Sequence, residues 1–201
     1  MNKWGKIARH LSFIHARMSD QSINILFASS EAAPYIKTGG LADVSGSLPP
    51  VLKSMGHDIR LILPAYPEAL KQLGEVSEVA VMRLPGYQNR VRLLAGRGDT
   101  GLPVYLVDYP DAFERAGNPY VDEFGNDWDD NHWRFTLFSQ VIVAIALNPS
   151  MLDWRPEVVH CNDWQTGLVL ALLHQEQEKP ATIFTIHNLS YLGLCDWDTY
   201  E

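Results

Sequence analysis

Lys37-Thr38-Gly39-Gly40-Leu41-Ala42-Asp43 comes just after the apolar run Ile23-Asn24-Ile25-Leu26-Phe27-Ala28, and this junction decides the fold. A nearly unbroken apolar run reads as a strand buried on both faces of a parallel sheet. Two adjacent glycines, Gly39 and Gly40, let backbone N–H groups approach a ligand closely. If Leu41 opens a helix, its free N–H groups and positive dipole end favour a phosphate. Lys37 then adds a flexible point charge beside that cradle. The stretch reads equally as a glycine turn before a helix with a solvated lysine. It is neither G-x-G-x-x-G nor G-x-x-x-x-G-K-[ST], so neither a dinucleotide fold nor a P-loop is indicated.

Outward from this junction, strands and helices alternate. Residues 41–55 read as helical, with Pro49-Pro50 breaking the helix or starting a second segment. Gly56-His57 closes it, and residues 59–63 give the second strand. A β-rich insertion is expected from runs at 76–84, 91–95 and 104–107, separated by turn signals. Residues 109–131 are a long polar loop, of the kind that is usually functional. Then come an apolar helix at 132–147, a strand end at 157–160, a helix at 164–175 and a strand at 181–187. The expected fold is a doubly wound α/β domain with a parallel sheet.

The chain has 201 residues, 46% hydrophobic and 20% charged, enough for one domain with a sizeable core or one lobe of a larger protein. The net charge of −8 argues against a general nucleic-acid or anionic-membrane surface. The two cysteines, Cys161 and Cys195, form neither a zinc motif nor a disulfide framework. Cys161 reads as a buried inert thiol, and a reducing cytoplasmic compartment follows as the default. No apolar run reaches the length of a membrane span. Residues 1–21 stand apart: Trp4, Ile7, Leu11, Ile14 and Met18 have amphipathic-helix spacing among basic residues. An appended extension, with Met18 as an alternative start, is preferred to a targeting segment; a plastid location would require residues 1–22 to be a transit segment.

In a doubly wound sheet, ligands gather beyond the carboxyl ends of the strands. Three polar clusters fall there: Lys37 to Gly40, Asn162-Asp163-Trp164 and His187-Asn188. Singly, each has an ordinary reading. Asp163 is a favoured helix N-cap residue, His187 a structural strand-end histidine, Asn188 a turn residue, and Trp164 a core aromatic. The acidic loop from Asp122 to Asp130 lacks EF-hand spacing and reads as solvated. Convergence on one edge carries more than any cluster alone.

Taken in order, Ile25-Leu26-Phe27-Ala28-Ser29-Ser30-Glu31-Ala32-Ala33-Pro34 with Lys37-Thr38-Gly39-Gly40-Leu41-Ala42-Asp43-Val44 resembles the amino-terminal signature of bacterial glycogen synthases and plant starch synthases. His160-Cys161-Asn162-Asp163-Trp164-Gln165-Thr166 and Thr185-Ile186-His187-Asn188-Leu189-Ser190-Tyr191 resemble the next two landmarks, and Asn118-Pro119-Tyr120 with Asp130-Asn131 ahead of Arg134-Phe135 a fourth. The resemblance spans about residues 22–194.

The resemblance implies the amino-terminal half of a GT-B architecture, two Rossmann-like domains facing a cleft. It also implies a retaining transferase that moves glucose from ADP-glucose to the non-reducing end of an α-1,4-glucan, with no metal or other cofactor. By motif, Lys37 contacts the donor phosphate, Gly39 and Gly40 give backbone approach, and Asp43 belongs to the same substrate-binding segment. Asp163 and His187 carry the catalytic expectation, with Asn188 bonding the sugar and Tyr120, Trp164 and Gln165 shaping its site. Gln165 stands where some members have a histidine; its amide can still bond a hydroxyl. Members run to more than twice this length, and their carboxy-terminal domain carries most of the nucleotide site. Residues 22–201 are therefore expected to be an incomplete lobe, inactive unless that domain is supplied in cis or in trans. Another nucleotide-sugar glycosyltransferase and a non-catalytic glucan-binding module are the alternative readings.

Overall fold

A computed structural model describes residues 22–191 and 193. The amphipathic spacing read in residues 1–21, and Cys195, lie outside the described residues.

The sheet grows from β1 (Asn24–Ala28), whose Leu26, Phe27 and Ala28 are fully buried. It pairs in parallel with β2 (Asp58–Pro64) on one side and β6 (Val158–Asn162) on the other. Strand β5 (Pro103–Asp108) extends the parallel set beyond β2, and β7 (Ala181–Thr185) extends it beyond β6. An antiparallel pair, β3 (Ser77–Met82) and β4 (Val91–Arg97), completes the seven-stranded order β3-β4-β5-β2-β1-β6-β7. The β-rich insertion is thus divided. β3 and β4 form the antiparallel edge, whereas β5 is a strand of the main parallel set. Its Val104, Leu106 and Val107 are fully buried, as the two covered faces of a parallel strand require.

Helix α1 (Gly40–Ser54) runs unbroken through Pro49 and Pro50, which corrects the expected break. Each proline removes only one donor, those that would serve the Ser45 and Gly46 carbonyls. Leu48 and Leu52 pack on the core and hold the helix through that gap. Gly56, at φ +99°, takes the left-handed turn after the helix that β-carbon sterics deny other residues. Short helices α2 (Pro67–Leu73) and α3 (Pro110–Phe113) each start on a proline, whose missing N–H costs nothing there.

Helix α4 (Asn131–Leu147) is apolar around most of its circumference and packs against α5 (Leu168–His174) and the 3-10 turn Trp164–Thr166. The single helix expected over 164–175 is therefore a 3-10 turn followed by an α-helix. The expected strand at 181–187 ends at Thr185, so His187 lies beyond the sheet. Among the described residues, no helix is long and apolar enough to cross a membrane.

Candidate active site

Because β1, β6 and β7 are adjacent and parallel, with Ala28, Cys161 and Phe184 in register, their carboxyl ends open on one edge. The expected convergence is found there. A cleft of about 1050 Å³ is lined by Thr38, Gly39 and Gly40 from the first loop, Asp163, Trp164 and Gln165 from the second, and His187 and Asn188 from the third. Tyr120, from the long loop after β5, closes one side.

The glycine loop is shaped by a residue that sequence reasoning gave no role. Glu31 is 3% exposed, and its Oε2 accepts the N–H groups of Thr38 and Gly39, the latter at 3.2 Å. Its Oε1 accepts the Tyr120 hydroxyl at 2.7 Å. With the phenol hydrogen committed to a carboxylate, the Ser30 hydroxyl, 2.7 Å from Tyr120 Oη, donates to it. Burial first, and the Glu31 charge second, push the Tyr120 phenol well above its ordinary range. Glu31 was legible as the one acid in Ala28-Ser29-Ser30-Glu31-Ala32-Ala33, a stretch otherwise of alanines and serines.

Two of the cradle's N–H groups are therefore already taken. Gly39, the N-cap of α1, offers no side-chain cap, and the N–H groups of Gly40 and Leu41 have no acceptor among the described residues. A β-carbon at Gly39 or Gly40 would meet nothing within 4 Å, so what a side chain there would occupy is the cleft. Lys37 and Asp43 are not in the lining. They pair with each other, Nζ to Oδ1 at 2.6 Å, on side chains 54% and 60% exposed. An exposed pair of this kind is worth little, so Lys37 is free to exchange its partner.

Asp163 is not the side-chain cap that its local sequence suggests. It sits at φ +57°, ψ −179°, a conformation normally left to glycine, and its side chain makes no cap bond. Its Oδ1 instead accepts the His187 N–H at 2.6 Å. The neighbouring turn is tied by the Thr166 hydroxyl, which donates to the Asn162 carbonyl at 2.9 Å. His187 Nε2 lies 3.0 Å from Asn162 Oδ1. Trp164 packs edge-on against Phe135 at 5.0 Å, so it is a wall of the cleft and a core contact together. Gln165 is 5% exposed, with Oε1 unpartnered among the described residues. Asn188 is exposed, and its Oδ1 accepts the Ser190 N–H at 2.9 Å, the turn role read from its sequence, at the cleft edge.

A second residue to which sequence reasoning gave no role, Arg134, is 1% exposed and makes no salt bridge among the described residues, although the Asp130 carboxylate lies near enough to attract it. It donates to the Ala112 and Pro119 carbonyls at 2.6 and 3.1 Å and to Asn131 Oδ1 at 2.8 Å. This clamp holds the Asn118-Pro119-Tyr120 segment to α4. Asn131 Nδ2 adds a bond of 2.9 Å to the Tyr120 carbonyl. Its signal was an arginine in a helix with no other lysine, arginine, aspartate or glutamate. Cys161 is buried as expected, and burial pushes its thiol up to about 12. The acidic loop is an Asx turn, with Asp122 Oδ1 accepting the N–H groups of Phe124 and Asn126 at 2.9 and 2.8 Å.

Residues 24–201 match the family model described as the starch synthase catalytic domain. A glycogen synthase from Thioalkalivibrio sulfidiphilus is 51% identical over 174 residues, covering 86% of this chain and 36% of the relative. One from Cellvibrio japonicus is 52% identical over 185 residues, covering 88% and 37%. Among solved structures, the catalytic domain of starch synthase IV from Arabidopsis thaliana, bound to ADP and acarbose, superposes with a TM-score of 0.70. It is 26% identical, over 85% of this chain and 35% of that one. The chain thus spans little more than a third of the length of these relatives.

Proposed function

The chain belongs to the starch synthase catalytic-domain family, and from that premise we propose that its cleft is the amino-terminal wall of a retaining glucosyltransferase site. The donor in this reading is ADP-glucose and the acceptor the non-reducing end of an α-1,4-glucan, handled in the cytoplasm without a cofactor. The carrying observation is that the glycine loop, Asp163 and His187, far apart in sequence, line one cleft at the carboxyl edge of the sheet.

Each residue has a role in that reading. The free N–H groups of Gly40 and Leu41 receive a phosphate oxygen at the positive end of α1. Lys37 leaves Asp43 to meet the charge that develops on the departing diphosphate. Asp163, held in a strained backbone and bonded to the His187 N–H, presents its carboxylate edge to the transferred glucose. His187 and Asn188 bond the sugar hydroxyls, while Tyr120, Trp164 and Gln165 shape its pocket. The opposing wall, with cations for the pyrophosphate, comes from a carboxy-terminal domain in cis or in trans. Without both walls, positioning of donor and acceptor is incomplete and turnover is not expected.

Calorimetric titration of the chain with ADP-glucose, in competition with UDP-glucose and on Lys37→Ala, tests the reading. Binding that favours ADP-glucose and weakens at least several-fold in Lys37→Ala supports it. Glucan binding that needs no nucleotide and survives Lys37→Ala would replace it with a glucan-binding module.

A further inference from the structure

The amide of Asn162 is fully buried at the end of β6, between the sheet and the cleft. Its Nδ2 donates to the Ala28 carbonyl at 3.0 Å and to the His160 carbonyl at 3.3 Å. Turning the amide over would set Oδ1 against two carbonyl oxygens, acceptor against acceptor, at a fully buried position. The orientation is therefore unique, and Oδ1 points at His187 Nε2, 3.0 Å away. An amide oxygen can only accept, so Nε2 carries the hydrogen. A neutral imidazole has one N–H, which leaves Nδ1 as a bare acceptor.

We propose that Asn162 is a positioning residue that locks His187 in its Nε2–H form, so that Nδ1 meets the ligand as an acceptor for a hydroxyl donor. Nδ1 has no protein partner among the described residues, and His187 lines the cleft. His187 is held at two points, its ring by Asn162 at Nε2 and its main chain by Asp163 at the backbone N–H. The neighbouring imidazole does not compete: His160 Nε2 is engaged with Thr185 Oγ1 at 2.8 Å. Its own burial, and then the nearby His187, lower its basicity. A bare nitrogen lone pair repels phosphate oxygens and attracts O–H groups. This corner of the cleft therefore takes the sugar of a nucleotide sugar and the glycine loop takes its phosphates, an assignment that rests on the donor reading above. The locked tautomer does not rest on it.

Long-range 1H–15N correlation on the labelled chain, at a pH where the ring is neutral and with His187→Gln for assignment, reads the tautomer directly. The expected spectrum has Nε2 protonated and Nδ1 bare; the reverse pattern in the wild-type chain overturns the proposal. In Asn162→Ala the two forms are expected to mix, and an unchanged pattern would remove Asn162 from the role. Addition of ADP-glucose is expected to shift the Nδ1 resonance and addition of ADP to leave it in place; equal shifts would refute the hydroxyl assignment. Failure of both nucleotides to bind would count against the donor reading, while the ligand-free spectra still decide the tautomer.

Discussion

The Glu31 carboxylate and the Tyr120 hydroxyl meet at 2.7 Å across 89 residues of sequence, and the same carboxylate caps the N–H groups of Thr38 and Gly39. One buried acid thus joins the glycine loop after β1 to the long loop after β5.

Glu31→Ala leaves two backbone donors and a phenol without their acceptor, and water can reach only some of them. The expected loss is about 2–3 kcal/mol in urea unfolding, with Glu31→Gln losing less because its amide oxygen still accepts. Equal stability of the wild type and Glu31→Ala would show that the network contributes nothing to folding.

Asp163 occupies φ +57°, where a β-carbon is strained. Both Asp163→Ala and Asp163→Gly lose the bond to the His187 N–H, so their difference isolates the backbone. Asp163→Gly is expected to be the more stable by about 1–3 kcal/mol in denaturant unfolding. Were Asp163→Ala the more stable, the strained geometry would be wrong.

Gly46 lies inside α1, where glycine to alanine ordinarily stabilises by about 1 kcal/mol. A β-carbon there runs into the Ala33 carbonyl oxygen, which is backbone and cannot swing away. Overpacking wins, and Gly46→Ala is expected to lose about 1–3 kcal/mol. A rise in the urea midpoint would refute this close approach.

Asp130 and Arg115 form a two-pronged pair, Oδ1–Nη1 at 2.7 Å and Oδ2–Nη2 at 2.6 Å. Burial alone would raise the Asp130 carboxyl, but the Arg115 hydrogen bond and charge outweigh it and hold the carboxyl below its ordinary value. A depressed folded-state value stabilises the protein above the unfolded value of about 4, and the gain is lost as pH falls through the folded value. The stability gap between wild type and Asp130→Asn is therefore expected to be full near neutrality and to shrink below about pH 4. A gap independent of pH would show that the pair is not electrostatic.

Much of the site was legible because its residues cluster in motifs at strand ends. Gly39, Gly40, Asp163, Trp164 and His187 were all identifiable from local pattern, since a strand that stops at a polar turn announces an edge, whereas Lys37, read with them, lies outside the lining and pairs with Asp43. Glu31, Asn162 and Arg134 were visible as polar residues beside apolar runs, yet their work was not. A buried polar group must find partners, but the partners of Glu31 and Asn162 come from other loops and strands.

By itself, the sequence determined that strands and helices alternate, that the first strand is covered on both faces, and which residues stand at the strand ends. These follow from hydrophobic period and turn chemistry, which act over a few neighbouring residues. Only the tertiary structure decided that β5 joins the parallel set, that α1 runs through two prolines, and that Asp163 holds the His187 backbone instead of capping a helix. Each of those outcomes is set by packing and hydrogen bonds between distant segments, which outweigh local preference once the core closes around them.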